Sequence, residues 1–276
     1  MDVEVEVMPT NIEWATETWN PIIGCSHASP GCDNCYAERM AKRLAGMGVY
    51  GYRKVVDESG WTGDISYNLD TLEKPLHWKK HRRIFVCSMG DLFHQDVGFS
   101  EIEEVFQAIC ACPQHTFMIL TKRPDRMFNF MENHYTIPPE NLGLGVTIET
   151  QDYIDRARIL CEIPAAWRFV SAEPMLGPVA SEHIKHLDWV ICGGESGPGA
   201  RPMHPDWARG LRDQCVVAGV PFFFKQWGEW WPSGKKIVDK ADMVLFGREP
   251  MYRVGKHNAG HLLDGVEWRQ IPECAK

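Results

Sequence analysis

No stretch of the 276-residue chain is long and apolar enough to suggest a membrane span, and the acidic start MDVEVEVMPTNIEW has no basic region leading into an apolar run. A cytoplasmic protein with no membrane partner is expected. Positive charge is in deficit: 29 Lys and Arg stand against 37 Asp and Glu, a formal net charge of −8. The molecule as a whole is therefore not drawn to phosphate backbones, although a local basic face still can be. There is no internal repeat and no low-complexity tract. The 10 cysteines are scattered through a long chain, several of them in apolar, strand-like runs, which excludes a small disulfide scaffold and fits a reducing compartment.

What is present is ample apolar material, 44% of residues, enough for one α/β barrel or two small domains. Short β-branched or aromatic runs alternate with longer segments of helical period, the mark of repeated βα units and a parallel sheet. Candidate strands are 18–23, 83–88, 116–121, 142–148, 168–171, 189–192 and 221–225. Candidate helices are 36–47, 100–110, 124–132, 151–161 and 205–218. Ser100 with Glu103 has capping-box spacing, and Pro205 suits a first helical turn. In QDYIDRARILCEI, Tyr153, Ala157, Leu160 and Cys161 fall on one face. A region from about 48 to 82 reads as an insertion and about 231–276 as a C-terminal extension. The expected architecture is a single domain, a partial TIM-like (β/α) barrel of six to seven parallel strands.

The segment TWNPIIGCSHASPGCDNCYAERMAKRLA spaces Cys25, Cys32 and Cys35 as C-x6-C-x2-C, punctuated by Gly24, Pro30 and Gly31 and followed at once by a helix. Three thiolates held close repel one another unless a cation or cluster joins them. Three protein thiolates on a 4Fe-4S cluster leave one iron open for the amino and carboxylate groups of S-adenosylmethionine. Zinc is the alternative, with His27 completing a Cys3His site. The position after the first strand of a parallel barrel, where βα loops carry catalytic groups, favours the cluster.

The stretch WNPIIGCSHASPGCDNCYAERMA, with TKRPDRM, SAEPMLGP, GGESGPGARPMHPDW and FFFKQWGEW, resembles a family of phage-associated proteins with a three-cysteine motif, largely uncharacterised and related to the radical S-adenosylmethionine superfamily. The resemblance runs from about Asn11 to Pro272. Most of that superfamily uses C-x3-C-x2-C with an aromatic before the last cysteine; here the first gap is six residues, Asn34 holds the aromatic place and Tyr36 follows Cys35. The resemblance implies a cluster on the three cysteines and S-adenosylmethionine as the second cofactor, with Tyr36 among the residues near it.

In such a barrel the C-terminal strand ends face cofactor and substrate, and here they are polar. Ser88, Gly90 and Asp91 resemble the superfamily stretch that contacts the methionine amino group; an Asx turn is the bland reading of Asp91. Lys122 and Arg123 are candidates for an anionic substrate group or a solvated helix entry. Thr147, Glu149, Ser171 and Glu173 are candidates for polar cofactor contacts or for loop capping. Gly193 and Gly194 permit close backbone approach, with Glu195 and Arg201 beside them on the substrate side. Lys225 and Gln226 lie at the seventh strand end, where Trp227, Trp230 and Trp231 offer either stacking faces or an aromatic plug. Cys87 or Cys192 could donate a hydrogen atom to a substrate radical, while the remaining cysteines read as buried small hydrophobes.

The function expected is a radical S-adenosylmethionine enzyme abstracting hydrogen, with a nucleobase or nucleic acid as substrate for modification or repair. Its partners would be a nucleic acid or nucleotide, an external electron donor and a neighbouring gene product. HWKKHRR (77–83), Arg248, Arg253 and Lys256 could add a nucleic-acid-facing surface. Two other readings stand beside it: a non-catalytic zinc- or cluster-stapled barrel that binds nucleic acid or a protein, and a hydrolase using Asp91, Glu149, Glu173 and Glu195.

Overall fold

The computed structural model describes Thr10 and residues 12–232, 242–246 and 248–276; the acidic start through Pro9 and positions 233–241 of the extension lie outside them. Seven strands form one parallel sheet in sequence order: β1 (Glu17–Trp19), β2 (Arg83–Val86), β3 (Thr116–Thr121), β4 (Leu142–Thr147), β5 (Trp167–Ala172), β6 (Trp189–Gly193) and β7 (Phe222–Gln226). The sheet curls into a half-barrel. Each neighbouring pair is parallel, so every crossover carries the chain back over the same face.

Helices α1 (Tyr36–Gly46), α2 (Phe99–Cys110), α3 (Pro124–His134), α4 (Asp155–Glu162) and α5 (Pro205–Ala218) supply five of the six crossovers, and a 3-10 turn at Glu182–His186 serves between β5 and β6. The strand side chains divide by the period of two. Val86, Ile119, Leu144, Val170, Val190 and Phe222 pack outward with Ile102, Phe106, Met127, Leu160 and Leu211 of the helices. Phe85, Met118, Trp167, Phe169, Trp189, Ile191 and Phe223 pack inward with Trp14. The N-terminal half of the barrel is thus an aromatic floor, with Trp14 and Phe85 centroids 4.8 Å apart. β4 is glycine-bearing for the same reason: a Cβ at Gly143 would meet the Trp167 ring at 2.3 Å, and one at Gly145 the Phe169 ring at 2.4 Å.

The strand expectations hold within a residue or two except at the first, where pairing with β2 stops at Trp19 and Ile22–Ile23 instead pairs antiparallel with Ser66–Tyr67. The capping box at Ser100 is corrected: the helix begins at Phe99 with Gly98 as N-cap, and the Ser100 hydroxyl donates to Glu101 at 2.7 Å. Pro205 does stand in the first turn of α5. In the 151–161 segment only Asp155–Glu162 is α-helical, and Arg156 joins Ala157 and Leu160 on the buried side. After β7 the chain adds a three-stranded antiparallel sheet of Trp230–Trp231, Met243–Phe246 and Glu249–Arg253, and a small hairpin at 262–267. Among the described residues no helix is long and apolar enough to cross a membrane.

Candidate active site

The cysteine loop leaves β1 at its C-terminal end and lies over the rim where the polar strand ends emerge. Its path is set first by backbone. Gly24 sits at φ +105°, a value that L side chains avoid, and bridges Gly90, whose own Cβ would fall 2.9 Å from the Gly24 carbonyl. Gly24 N–H donates to Met89 O at 3.0 Å and Asp91 N–H to Gly24 O at 3.3 Å. Asn20, just past β1, receives Met89 N–H at 2.9 Å and the Ser88 hydroxyl at 3.2 Å.

Three ionic clamps then hold the loop, each from a different strand end. In the first, Asp91 is buried and accepts from the Thr121 hydroxyl at 2.7 Å, Phe93 N–H at 3.0 Å and Arg123 Nη1 at 2.6 Å. Arg123 in turn reaches Ser26 O at 3.0 Å and Ser26 Oγ at 2.9 Å, and its Nη1 lies 3.8 Å from Cys25 Sγ. His94 backs Ser26 from behind, at 2.7 Å.

In the second, Glu149 is fully buried after β4; its carboxylate accepts from Ser29 Oγ at 2.5 Å and Arg156 Nη1 at 2.9 Å and lies 3.5 Å from Lys122 Nζ. Gly31 is pressed onto it, since a Cβ there would lie 2.5 Å from Glu149 Oε1. In the third, Glu195 after β6 takes both arms of Arg201, at 2.9 and 2.6 Å, with Asn34 Nδ2 at 3.0 Å. Arg201 continues to Asp33 at 3.1 Å and to Pro30 O at 2.7 Å.

These contacts reassign several expected binding residues. The carboxylates of Asp91, Glu149 and Glu195, with Arg123 and Arg201, are taken up in positioning the loop, which leaves none of them free as the base of a hydrolase. Gly90 serves a backbone crossing. Gly194 does likewise, because its Cβ would meet Trp227 O at 2.1 Å. Trp227 is corrected outright: it is buried in the outer core against Phe224, 4.9 Å between centroids, with its indole N–H on Leu262 O, and offers no stacking face to the rim. Gln226 is buried and donates to Gly194 O at 2.9 Å. The basic run 77–83 leads into β2, whose first residue is Arg83, and so lies at the N-terminal ends of the strands, away from the cysteine loop.

Near the thiols the charge balance is specific. All three loop cysteines are free; Cys32 is buried and Cys25 and Cys35 half-buried. Burial and the Asp91 carboxylate push the Cys25 thiol up to about 12, against the pull of Arg123, and Cys32 adds to the rise. Lys122 is driven the other way from what burial alone would do: Glu149, Cys32 and Cys35 together keep its ammonium above the ordinary lysine range. The thiols share one neighbourhood, yet among the described residues no three His, Cys, Asp or Glu side chains are grouped as they would be around one metal ion. His27 is exposed, with Nε2 3.3 Å from Glu38.

The sequence matches a defined family. The chain belongs to the family described as protein of unknown function (DUF5131), whose model covers residues 9–272. No curated protein matches the sequence. Among solved structures, a doubly substituted spore photoproduct lyase with bound AdoMet and dinucleoside spore photoproduct is similar at TM-score 0.46 and 12% identity, over 93% of this chain and 74% of that one. A singly substituted form of the same lyase gives TM-score 0.43 and 10% identity, over 91% and 72%. The fold of this DUF5131 member rests on the sheet topology above, and the roles of its residues on their contacts, not on these likenesses.

On the concave side above the aromatic floor, a second polar group is independent of the loop clamps. Lys225, at the end of β7, lies 2.8 Å from Glu173 and 3.7 Å from Glu13, which also meets Lys256 at 3.1 Å. Burial opposes the Lys225 charge, but the two glutamates hold its pKa above the usual value. Gly193 makes room for Glu173, whose carboxyl carbon lies 3.2 Å from where its Cβ would be. Ser171 and Thr147 are buried close by on their strands. Tyr36 exposes half its surface, yet its hydroxyl is tucked inward and donates to Ser88 O at 3.0 Å; burial, Cys35 and Glu173 raise its pKa.

Sequence reasoning missed Asn20, Ser26, Ser29, His94 and Arg156. Arg156 had a readable signal, an arginine one step from the apolar stripe of its helix. The loop serines had none, since their partners lie more than 60 residues away.

Proposed function

We propose that this protein is a radical S-adenosylmethionine enzyme, with Cys25, Cys32 and Cys35 holding a 4Fe-4S cluster at the rim of the half-barrel. The observation that supports it most is the triple clamp: buried Asp91, Glu149 and Glu195 each fix a different part of the thiol loop. A loop that only linked β1 to α1 would not need three ion-paired anchors.

The donor set fits such a cluster. Each of three thiolates can take a different iron of one 4Fe-4S cluster and leave the fourth iron open. Lys122 and Arg123 offset the negative charge that three thiolates would bring. A Cys3His zinc site would need His27, which is engaged with Glu38 on the surface. When bound and reduced, the cluster supplies the electron that splits the sulfonium of S-adenosylmethionine, yielding a 5′-deoxyadenosyl radical able to take hydrogen from a substrate.

The chain's own residues have four tasks in this reading. The clamps hold the thiol loop rigid. Ser88 and Tyr36, with Thr147 and Ser171, line the rim as polar contacts for S-adenosylmethionine. Lys225, ion-paired with Glu173 and Glu13, faces the substrate as a polar group, and the aromatic floor of Trp14, Trp167, Trp189 and Phe223 excludes water from below. The substrate class we favour is a nucleobase in a nucleotide or nucleic acid, motivated by the phage association that the sequence resemblance implies.

Anaerobic purification with iron, sulfide and zinc analysis tests the assignment. About four irons and four sulfides per chain, with a reduced-state EPR signal that shifts on adding S-adenosylmethionine, are expected. One zinc per chain and no iron–sulfur absorption would overturn it.

A further inference from the structure

The helix that begins at the third cysteine presents a flank that none of the described residues covers. Cys35 is the N-cap of α1, and Ala37, Ala41 and Leu44 of that helix pack inward with Ile23, Tyr52, Val55 and Met89. Met40, Arg43 and Met47 follow one another at spacings of three and four residues, so with the ring of Tyr36, whose hydroxyl turns inward to Ser88 O, they form a single stripe about a quarter turn round the helix from that packed face. Met40 is 42% exposed and Met47 67%. The turn after the helix extends the stripe with Tyr50, 79% exposed, and Arg53.

Exposed apolar side chains scattered singly need no explanation, but a contiguous patch of them marks a contact site. The composition narrows its kind. Methionine, tyrosine and arginine are the types enriched where proteins meet proteins, whereas nucleic-acid surfaces are much more polar and positive. Among the described residues neither Arg43 nor Arg53 has a carboxylate partner, while Lys42 on the same helix is paired with Glu38 at 3.6 Å. Arg43 and Arg53, the latter donating through Nε to Ala45 O at 3.3 Å, form a local cationic spot in a chain of net charge −8, and an acidic partner is steered to it rather than to the rest of the surface.

Location supplies the partner's task. Met40 follows Cys35 by five residues, about 7 Å along the helix axis. A protein seated on the stripe stands beside the thiol loop. We infer that the Met40–Arg43–Met47–Tyr50 face is the docking surface for an acidic one-electron carrier protein, which delivers the reducing electron to the site. The inference rests on the radical S-adenosylmethionine reading given above. Electron balance is simple: one electron passes from the reduced carrier to the cluster, the carrier is oxidised by one unit, and no bond forms in the docked complex.

The test uses the full chain with reconstituted cluster and compares two reductants. One is an acidic flavodoxin kept reduced by NADPH and its reductase; the other is dithionite, which needs no docking surface. The variants are Arg43→Glu and Met47→Asp, both on exposed positions remote from the site's side chains, together with Arg43→Lys. Flavodoxin-driven cluster reduction is expected to slow at least tenfold in the first two and to weaken in dependence on ionic strength, and Arg43→Lys should retain most of the rate. Dithionite-driven reduction should be unchanged in all three. Equal flavodoxin rates in wild type and variants would overturn the inference. So would loss of single-stranded DNA binding in the variants with flavodoxin reduction intact, which would make the face a nucleic-acid track. If dithionite also produces no 5′-deoxyadenosine in the wild type, the enzyme reading itself has failed and the docking inference falls with it.

Discussion

Replacing Glu149 by Gln should release the cysteine loop and destabilise the whole domain, for one structural reason. The carboxylate has no exposed surface and faces two cations, Arg156 at 2.9 Å and Lys122 at 3.5 Å, while accepting from Ser29 at 2.5 Å. Glutamine keeps the shape and removes the charge, so two buried cations lose their counterion. Removing one partner of a buried pair costs about 3–5 kcal/mol. Against a total stability of about 5–15 kcal/mol this is a large fraction. At about 2–4 °C of melting shift per kcal/mol for a chain near this size, the melting temperature should fall by about 6–20 °C. Ser29 would also hold less firmly, and iron retained after reconstitution should drop. The assay pairs thermal denaturation of the apo protein with iron content of the reconstituted one. The double variant Glu149→Gln with Arg156→Met should recover part of the loss, because only Lys122 then lacks a partner. A melting shift under about 2 °C with full iron loading would refute the clamp reasoning.

Other consequences follow from the same contacts. Gly145→Ala would place a methyl 2.4 Å from the Phe169 ring, and overpacking of this kind costs about 1–3 kcal/mol or more; a urea midpoint no lower than wild type would contradict the aromatic floor. Burial raises the Glu195 carboxyl, but Arg201 and Asn34 outweigh it and hold it below its ordinary 4.5. A group depressed in the folded state contributes stability above its unfolded pKa and loses it as pH falls through the folded value, so the Glu195–Arg201 clamp should weaken only below about pH 4.5. Glu195→Gln should flatten that acid limb in a stability–pH profile, and an unchanged limb would show that the pair does not report there. Lys225→Met should leave cluster content intact and abolish substrate-dependent turnover, read as 5′-deoxyadenosine formed with and without substrate; unaltered coupling would remove Lys225 from the substrate side.

The barrel was legible because its signal is local. Runs such as TFMILT and WVICGG are short, apolar and bounded by turn residues, and the helices between them carry their apolar period openly. The cysteine loop was legible because thiol spacing is itself a chemical statement. What the sequence did not disclose is which polar strand ends serve the loop and which face the cavity. Asp91, Glu149 and Glu195 read as binding residues by position, yet their partners Arg123, Arg156 and Arg201 commit them to the scaffold; Arg156 and Arg201 follow their glutamates by only seven and six residues, but the loop residues these groups hold, Ser26, Ser29 and Pro30, come near them only in three dimensions. Trp227 failed for a different reason: one residue of alternation past Gln226 puts it on the helix side of the sheet, and the bulge between Cys192 and Gly193 makes register there unreadable from pattern alone.

The most direct test of the central claim is 5′-deoxyadenosine formation by the anaerobically reconstituted protein with dithionite and S-adenosylmethionine. Wild type should form it, and Cys25→Ala, Cys32→Ala and Cys35→Ala should each form none while keeping the wild-type far-UV circular dichroism. A protein loaded with four irons per chain that yields no 5′-deoxyadenosine, or a Cys32→Ala variant that still yields it, would contradict the account.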